Sequence, residues 1–376
     1  MAAEYIQSHA EQRLQIIDVL DLEFQAEKII PTGGFGYISG GSEDEWTLRQ
    51  NISAFDQRQI IPRVLTGVEN PVLKTTLFDI PLEMPIIAAP CAAQGLAHFR
   101  GEAATAEGVG SAGTLMTQST YSSVSIADTA ASAPASPQFF QLYLSKDWAF
   151  NHYLLDEAKR AGVKAIVVTA DSTLGGYREA DLRNGFKFPL PMANLVAFSG
   201  GDGKGKSISE IYAAAAQRIL PADIRRISDY SNLPVLVKGI QSPEDAEIAI
   251  GSGASGVYVS NHGGRQLNGG PPSFQVLPRI AQAVNGKVPI IFDSGIRRGS
   301  HVFKALACGA DVVAIGRPVV YALALGGALG VRSVFEHLRD ELEIVMQLAG
   351  AASIAEIKRS KILSSFADEG SAVHHQ

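Results

Sequence analysis

From about residue 84 onward the chain alternates short runs of apolar, often β-branched residues with alanine-rich stretches of helical spacing. Eight such runs occur, at residues 85–89, 113–116, 139–143, 165–169, 234–237, 256–259, 289–292 and 311–315. Their polarity is continuous rather than alternating, as it must be for strands covered on both faces. Strands of this kind separated by helices read as βα units with a parallel sheet, and eight of them close a (β/α)8 TIM barrel, an α/β fold. The intervening helices carry end signals. One spans residues 101–108 and another 151–161, the second stopping at Gly162 as a glycine-capped helix would. Ser242-Pro243 opens the helix after the fifth run, serine capping and proline in the first turn, and Arg298-Gly299-Ser300-His301 opens the seventh. A doubly wound sheet ranks second. As a dinucleotide binder it would carry a glycine-rich loop after its first strand, and Ala89-Pro90-Cys91-Ala92-Ala93-Gln94-Gly95 is no such loop.

Residues 1–83 read as a helical segment packing on the barrel of residues 84–376, with Leu14-Gln15-Ile16-Ile17-Asp18-Val19-Leu20 periodic and Pro31-Thr32-Gly33-Gly34 as a break. The connection after the fourth strand, residues 172–207, is long and glycine-rich, the mark of a lid or a disordered excursion. Residues 319–331 form the longest apolar stretch. It falls short of the ~20 residues that span a bilayer and reads as the start of a buried helix.

Composition narrows the chemistry. A chain of 376 residues, 46% hydrophobic, can bury a core of barrel size. Its net charge of −6 argues against a broad nucleic-acid or membrane-surface footprint, leaving small ligands as partners. Cys91 and Cys308 are too few for a disulfide framework or a cysteine-rich metal centre. The start, Met1-Ala2-Ala3-Glu4-Tyr5-Ile6-Gln7, lacks the basic and apolar regions of a secretion signal, so a reducing, cytoplasmic setting is expected. No histidine spacing suits a metal, and the adjacent His374-His375 sits in a polar tail. No metal is expected.

Barrels gather functional groups at the carboxyl ends of their strands. Here the exits offer Pro90-Cys91-Ala92, Gln118-Ser119, Gln141 with Tyr143, Thr169 with Asp171, Lys238, Ser260-Asn261-His262, Asp293-Ser294-Gly295 with Arg297, and Gly316-Arg317. His262 and Arg265, in Ser260-Asn261-His262-Gly263-Gly264-Arg265, could grip a carboxylate and remove a proton beside it. Taken alone, His262 reads equally well as a loop histidine among turn glycines. Asp171 leaves the fourth strand at the same end and could orient the imidazole. Arg178 gives a second guanidinium or a solvated loop arginine. Arg297 and Arg317 follow strands seven and eight, where barrels commonly hold phosphate, though each could instead form a surface ion pair. Lys238 ends an apolar run and needs an anion, either a ligand or a rim carboxylate. Tyr37 and Tyr143 fit a site or amphipathic packing.

In combination, Ser260-Asn261-His262-Gly263-Gly264-Arg265-Gln266-Leu267, Asp293-Ser294-Gly295-Ile296-Arg297-Arg298-Gly299 and Gly316-Arg317-Pro318 resemble the FMN-dependent L-2-hydroxy acid oxidase family over nearly the whole chain. Gly36-Tyr37-Ile38-Ser39-Gly40, Ala170-Asp171-Ser172-Thr173 and Ile211-Tyr212 resemble its bacterial members that oxidise L-lactate, although Gln94 stands where those carry histidine. The resemblance implies oxidation of L-lactate to pyruvate with reduction of dioxygen to hydrogen peroxide; glycolate or another short L-2-hydroxy acid is the alternative substrate. It implies that His262 is the base, acting on the hydroxyl or on the α-carbon, with Asp171 supporting it. Arg178 and Arg265 would hold the substrate carboxylate, Tyr37 and Tyr143 its hydroxyl contacts, and Tyr212 would cover the site from the lid. FMN would lie against Ala92, with Ser119, Gln141 and Thr169 on its ring system and Lys238 at the N1–O2 edge. Ser260, Asp293, Ser294, Gly295, Arg297, Gly316 and Arg317 would hold the rest of the cofactor, and the implied assembly is a homotetramer.

Overall fold

Eight parallel strands close into a barrel in a computed structural model of the chain that describes residues 5–199 and 201–364. Met1 to Glu4, Gly200 of the glycine-rich connection, and His374-His375 lie outside the described residues. The barrel strands are β1 (Ile86–Ala88), β2 (Met116–Ser119), β3 (Gln138–Leu142), β4 (Ala165–Thr169), β5 (Val235–Ile240), β6 (Gly256–Val259), β7 (Ile290–Phe292) and β8 (Val312–Ile315). Each pairs with its successor and β8 pairs with β1. Side chains alternate across each strand, so one set packs inward and the other against the helices. Ile87, Phe139, Val167, Leu236, Tyr258, Ile291 and Val312 form the inward set, while Ile86, Phe140, Val168, Val237, Val259 and Val313 join the outer core. An antiparallel hairpin, Thr75–Leu77 with Ile80–Leu82, adds Leu77, Leu82 and Phe78 to the inner cluster.

The helices that follow the strands are α1 (Gly101–Ser111), α2 (Ile126–Ser132), α3 (Trp148–Arg160), α4 (Pro221–Ser231), α5 (Pro243–Gly251), α6 (Ser273–Val284), α7 (Gly299–Ala307) and α8 (Arg317–Ala349). Ser242 caps α5 by accepting from Asp245 N at 3.1 Å. The apolar stretch of residues 319–331 lies within α8, which is kinked at Gly326 and Gly327, where the backbone leaves helical geometry; by length and composition α8 could cross a membrane, but its apolar window is 83% buried in this core.

Three expectations shift. The second strand starts at Met116, where the apolar run ends, and continues through Thr117, Gln118 and Ser119, all fully buried. Gln118 and Ser119 escape the apolar pattern because hydrogen bonds offset their burial: Gln118 Nε2 donates to Ser122 Oγ at 3.1 Å and Thr129 Oγ1 at 2.9 Å, and Ser119 Oγ to Gln141 Oε1 at 3.1 Å, while the Thr117 hydroxyl has no partner among the described residues. Residues 14–20, periodic in sequence, are not helical. They run along α8 instead, with Leu14 N donating to Ser333 Oγ at 3.0 Å, and Asp18 Oδ1 accepting from Leu20 N at 2.9 Å ahead of the first helix, Asp21–Glu27. The expected break at residues 31–34 opens a second helix, Thr32–Ser39, with Pro31 at its cap. Glycine is required there by close approach: a Cβ at Gly34 would come within 2.0 Å of Tyr5 Oη.

Among the described residues the excursion after β4 carries the short helices Glu179–Arg183, Ala193–Ser199 and Ile208–Tyr212 before α4. Ser207 and Glu210 form a reciprocal capping box on the last of these.

Candidate active site

Beyond β6 the chain turns sharply at the barrel mouth, and His262 adopts φ 59°, a conformation few residues with side chains take. Hydrogen bonds fix it there. His262 N donates to Ser260 Oγ at 3.0 Å, Gly263 N to Ser294 Oγ at 3.1 Å and Gly264 N to Asn261 Oδ1 at 3.1 Å. The Asn261 amide in turn exchanges bonds of 2.7 and 2.9 Å with Asn51 of the Trp46–Ser53 helix. The imidazole Nδ1 lies 3.1 Å from Asp171 Oδ1 and 3.0 Å from Ser172 Oγ. An ionised carboxylate can only accept, so Nδ1 carries the proton and the Nε2 lone pair meets the Tyr143 hydroxyl at 3.2 Å. Burial, reinforced by Lys238, pulls His262 down to about 4 against the opposing influence of Asp171, leaving the ring neutral at neutral pH. Burial would raise the Asp171 carboxyl, but His262 and Lys238 outweigh it and hold it below its usual range.

Asp171 depends on a device in the neighbouring strand. The register of β5 against β6 shifts between Lys238 and Ile240, and Gly239 there has φ 105°. A Cβ on Gly239 would strike Asp171 Cβ and Cγ at 2.6 and 2.7 Å, so glycine lets the carboxylate sit against the strand.

His262 opens into a cavity with roughly 900 Å³ of space, part of it open to solvent. Tyr37, Ala92, Tyr143, Arg178, Tyr212, Lys238, Arg265, Asp293, Ser294, Gly295, Arg297, Gly316 and Arg317 line it too. Arg178 and Arg265 lie over the Tyr37 ring, their guanidinium carbons 5.9 and 5.0 Å from its centroid. Arg265 Nη1 donates to Gly40 O at 2.8 Å. Burial, with Arg178 and Arg317 nearby, lowers Arg265 to about 10. Burial also raises the Tyr37 and Tyr143 hydroxyls, keeping both protonated. Tyr212, buried in the last helix of the excursion, meets Tyr143 edge-on with centroids 6.0 Å apart.

Five residues named from the sequence do not line this cavity: Asp171, Ser119, Gln141, Thr169 and Ser260. Asp171 stands behind His262, and Ser260 Oγ holds the His262 backbone. The other three form a buried chain across neighbouring strand ends, Ser119 Oγ donating to Gln141 Oε1 at 3.1 Å and Gln141 Nε2 to Thr169 Oγ1 at 2.8 Å. The sequence does not single out Ile38, Cys91, Ile296 and Val320 as site residues, although they too line the wall. Cys91 was visible as part of a strand exit; the aliphatic residues give no signal distinguishing them from core. Burial holds the Cys91 thiol up at about 11, so it is not a thiolate. Gln94 is buried beneath, accepting from Thr105 Oγ1 at 2.5 Å and donating to Cys91 O at 3.2 Å.

Residues 26–364 match the FMN-dependent dehydrogenase family. The chain belongs to that family. Within it, the chain is 66% identical to an L-lactate oxidase of Lentilactobacillus hilgardii, over 96% of its own length and 98% of that relative's. It superposes on a crystal structure described as a lactate oxidase of Pediococcus acidilactici with a TM-score of 0.92 and 64% identity, covering 96% of this chain and 98% of the other. A glycolate oxidase of Spinacia oleracea stands further off at 41% identity, over 93% and 96% of the two chains.

As expected of an FMN-dependent dehydrogenase, the cavity's donor set fits FMN. Arg297 is buried and Arg317 partly buried with its guanidinium donating to the carbonyls of Ile38, Ser39, Gly40 and Gly263, and neither has an ion-pair partner among the described residues. Burial lowers both, the situation an anionic phosphate would relieve. Arg317 follows Gly316, which caps the amino terminus of α8 with no side-chain hydrogen bond, and Arg297 lines the same cavity. A helix amino terminus with two guanidiniums on the same cavity wall suits a phosphate by its chemistry. Lys238, 3% exposed and 3.9 Å from Asp293, adds a cation on the same wall, next to the amide and hydroxyls of Gln141 and Thr169 on adjoining strands. These groups suit a heterocycle rich in carbonyl and imide atoms.

Proposed function

We propose that this protein is an L-lactate oxidase, converting L-lactate and dioxygen to pyruvate and hydrogen peroxide. One observation carries the reading: a neutral imidazole whose Nε2 lone pair meets the Tyr143 hydroxyl lines the same cavity as the Arg178 and Arg265 guanidiniums and the groups that suit FMN. The substrate carboxylate bonds to Arg178 and Arg265, which as rigid donor forks bind carboxylates bidentately. Tyr37, stacked beneath them, donates its hydroxyl to the same anion. The substrate hydroxyl then reaches His262 Nε2 in place of, or alongside, the Tyr143 hydroxyl. His262 takes the proton, and Asp171 stabilises the imidazolium through Nδ1–H, much as a buried carboxylate does for a catalytic histidine elsewhere. FMN, when bound, supplies what no side chain can, accepting two electrons from the substrate carbon and returning them to dioxygen. Lys238 balances the negative charge that accumulates near it. Tyr212 closes the mouth and limits entry of water.

For the cofactor we assign Ser119, Gln141 and Thr169 to the ring edge, Lys238 to its N1–O2 side and Ala92 to its face. Ser260, Asp293, Ser294 and Gly295 serve the ribityl chain, and Arg297, Gly316 and Arg317 the phosphate. The family resemblance supports a homotetramer; light scattering giving four chain masses agrees with it, and one or two contradicts it. Two unpaired cysteines are in keeping with a cytoplasmic setting.

Substrate choice is tested by peroxide release from L-lactate, D-lactate, glycolate and mandelate. L-lactate is expected to give the highest kcat/KM and D-lactate no turnover. A higher value for glycolate would make the protein a glycolate oxidase, the reading favoured by a smaller substrate in the same clamp.

A further inference from the structure

Asp181 is a buried carboxylate that the chemistry above leaves unused. It lies in the Glu179–Arg183 helix, three residues after Arg178, and is 7% exposed. Neither of its carboxylate oxygens has a hydrogen-bond partner among the described residues. The helix packs on the segment that anchors the other arginine: a Cβ on Gly40 would lie 3.5 Å from Ala180 Cβ, and Gly40 O is the acceptor for Arg265 Nη1. Arg178 and Arg265, both over Tyr37, have no ion-pair partner of their own among the described residues. The Asp181 charge still acts on both, since it is one of the influences that raise each guanidinium. Burial raises the Asp181 carboxyl, and the pull of Arg265 and Arg178 offsets only part of that.

A substrate carboxylate on these guanidiniums is a second anion in the same charge cluster. Two carboxylates sharing one site cannot both stay ionised cheaply, and one of them is pushed toward its protonated form. We propose that Asp181 is the resident counter-ion of the Arg178–Arg265 pair, a positioning residue that takes up one proton from solvent when a carboxylate ligand binds there. This rests on the function proposed above only in assigning the ligand carboxylate to those arginines.

The groups facing Asp181 leave it as the one that titrates. Tyr37 and Tyr143 are raised by burial and stay protonated, and His262 is lowered to about 4 and stays neutral. Glu179 pairs with Arg183 on the outer side of the same helix, and Glu45 accepts from Gly41 N at 2.8 Å. The sign follows from linkage. Because the bound state holds the proton more tightly, affinity is greatest below the free-state pKa of Asp181. It falls by up to about tenfold per pH unit as pH rises through the window between free and bound values.

Calorimetry of the FMN-loaded protein with pyruvate, a carboxylate with no hydroxyl to oxidise, tests this in buffers of different ionisation enthalpy between pH 5 and 8. Wild-type protein should take up close to one proton within the window. Asp181→Asn should take up none and bind pyruvate with an affinity that changes less than about twofold across the range. Should Asp181→Asn not fold, Asp181→Glu, which still titrates, should retain the uptake with a displaced midpoint. Pyruvate binding without proton uptake, or uptake unchanged in Asp181→Asn, overturns this assignment while leaving the oxidase reading intact. No pyruvate binding at all, together with no response of the flavin to L-lactate, overturns both.

Discussion

At the scale of single residues, the site works through the state of one imidazole. His262 is held near pKa 4 by burial and by Lys238, so its base form is fully present at neutral pH and disappears as pH falls through about 4. The kcat/KM for L-lactate should therefore drop about tenfold per unit below that point. Asp171 is the influence that raises His262, so Asp171→Asn should move this acid limb to lower pH. It should also lower kcat by roughly two to four orders of magnitude, because the imidazolium formed in the reaction loses its partner. A limb that moves toward neutrality would contradict the arrangement. His262→Ala should keep its yellow FMN, since His262 is not among the groups assigned to the cofactor, but lactate should no longer bleach it on the wild-type timescale.

At the scale of elements, the bulge in β5 makes room for the Asp171 carboxylate from behind. Gly239→Ala would place a methyl group on Asp171 and force a left-handed backbone on a residue with a side chain. A loss of about 1–3 kcal/mol in stability is expected, with activity falling further than flavin content. Ser242→Ala removes the cap of α5, on the outer layer, and should lower stability by ~1 kcal/mol with kcat unchanged. Urea denaturation and steady-state kinetics check both. The capping serine was legible in the sequence because capping is local chemistry. The bulge was not, since Val235 to Ile240 reads as a plain strand ending in lysine and glycine until the neighbour that needs the space is known. The same division separates the other elements. Continuous apolar runs announced the barrel strands, whereas β2 extended into polar residues, of which Gln118 and Ser119 are held by hydrogen bonds that no hydrophobic pattern records. Residues 14–20 carried helical spacing, yet contacts with α8 decided their path. Asp181 gave no signal, because an acidic residue beside Glu179 and Arg183 in sequence looks like a solvated face.

At the scale of the whole molecule, closure of the barrel brings His262, Asp171, Arg178 and Arg265 together from segments as far as 94 positions apart. The count of eight strands was readable along the chain, but the approach of Tyr37 from the amino-terminal helix to the mouth was readable only through the resemblance. FMN binding to this shared cavity should stabilise the entire fold. Free FMN at about a hundred times its Kd should add ~2.7 kcal/mol to unfolding, and Arg317→Ala should lose most of that gain. Thermal melts with and without added FMN measure it. The most direct test of the central claim, that these residues form one lactate-oxidising site, is the visible spectrum of the purified protein mixed anaerobically with L-lactate. The flavin bands should bleach within the mixing time of a turnover experiment and return on admitting air, with one hydrogen peroxide and one pyruvate per cycle. Bands that L-lactate leaves untouched, or that bleach without pyruvate being formed, would contradict it.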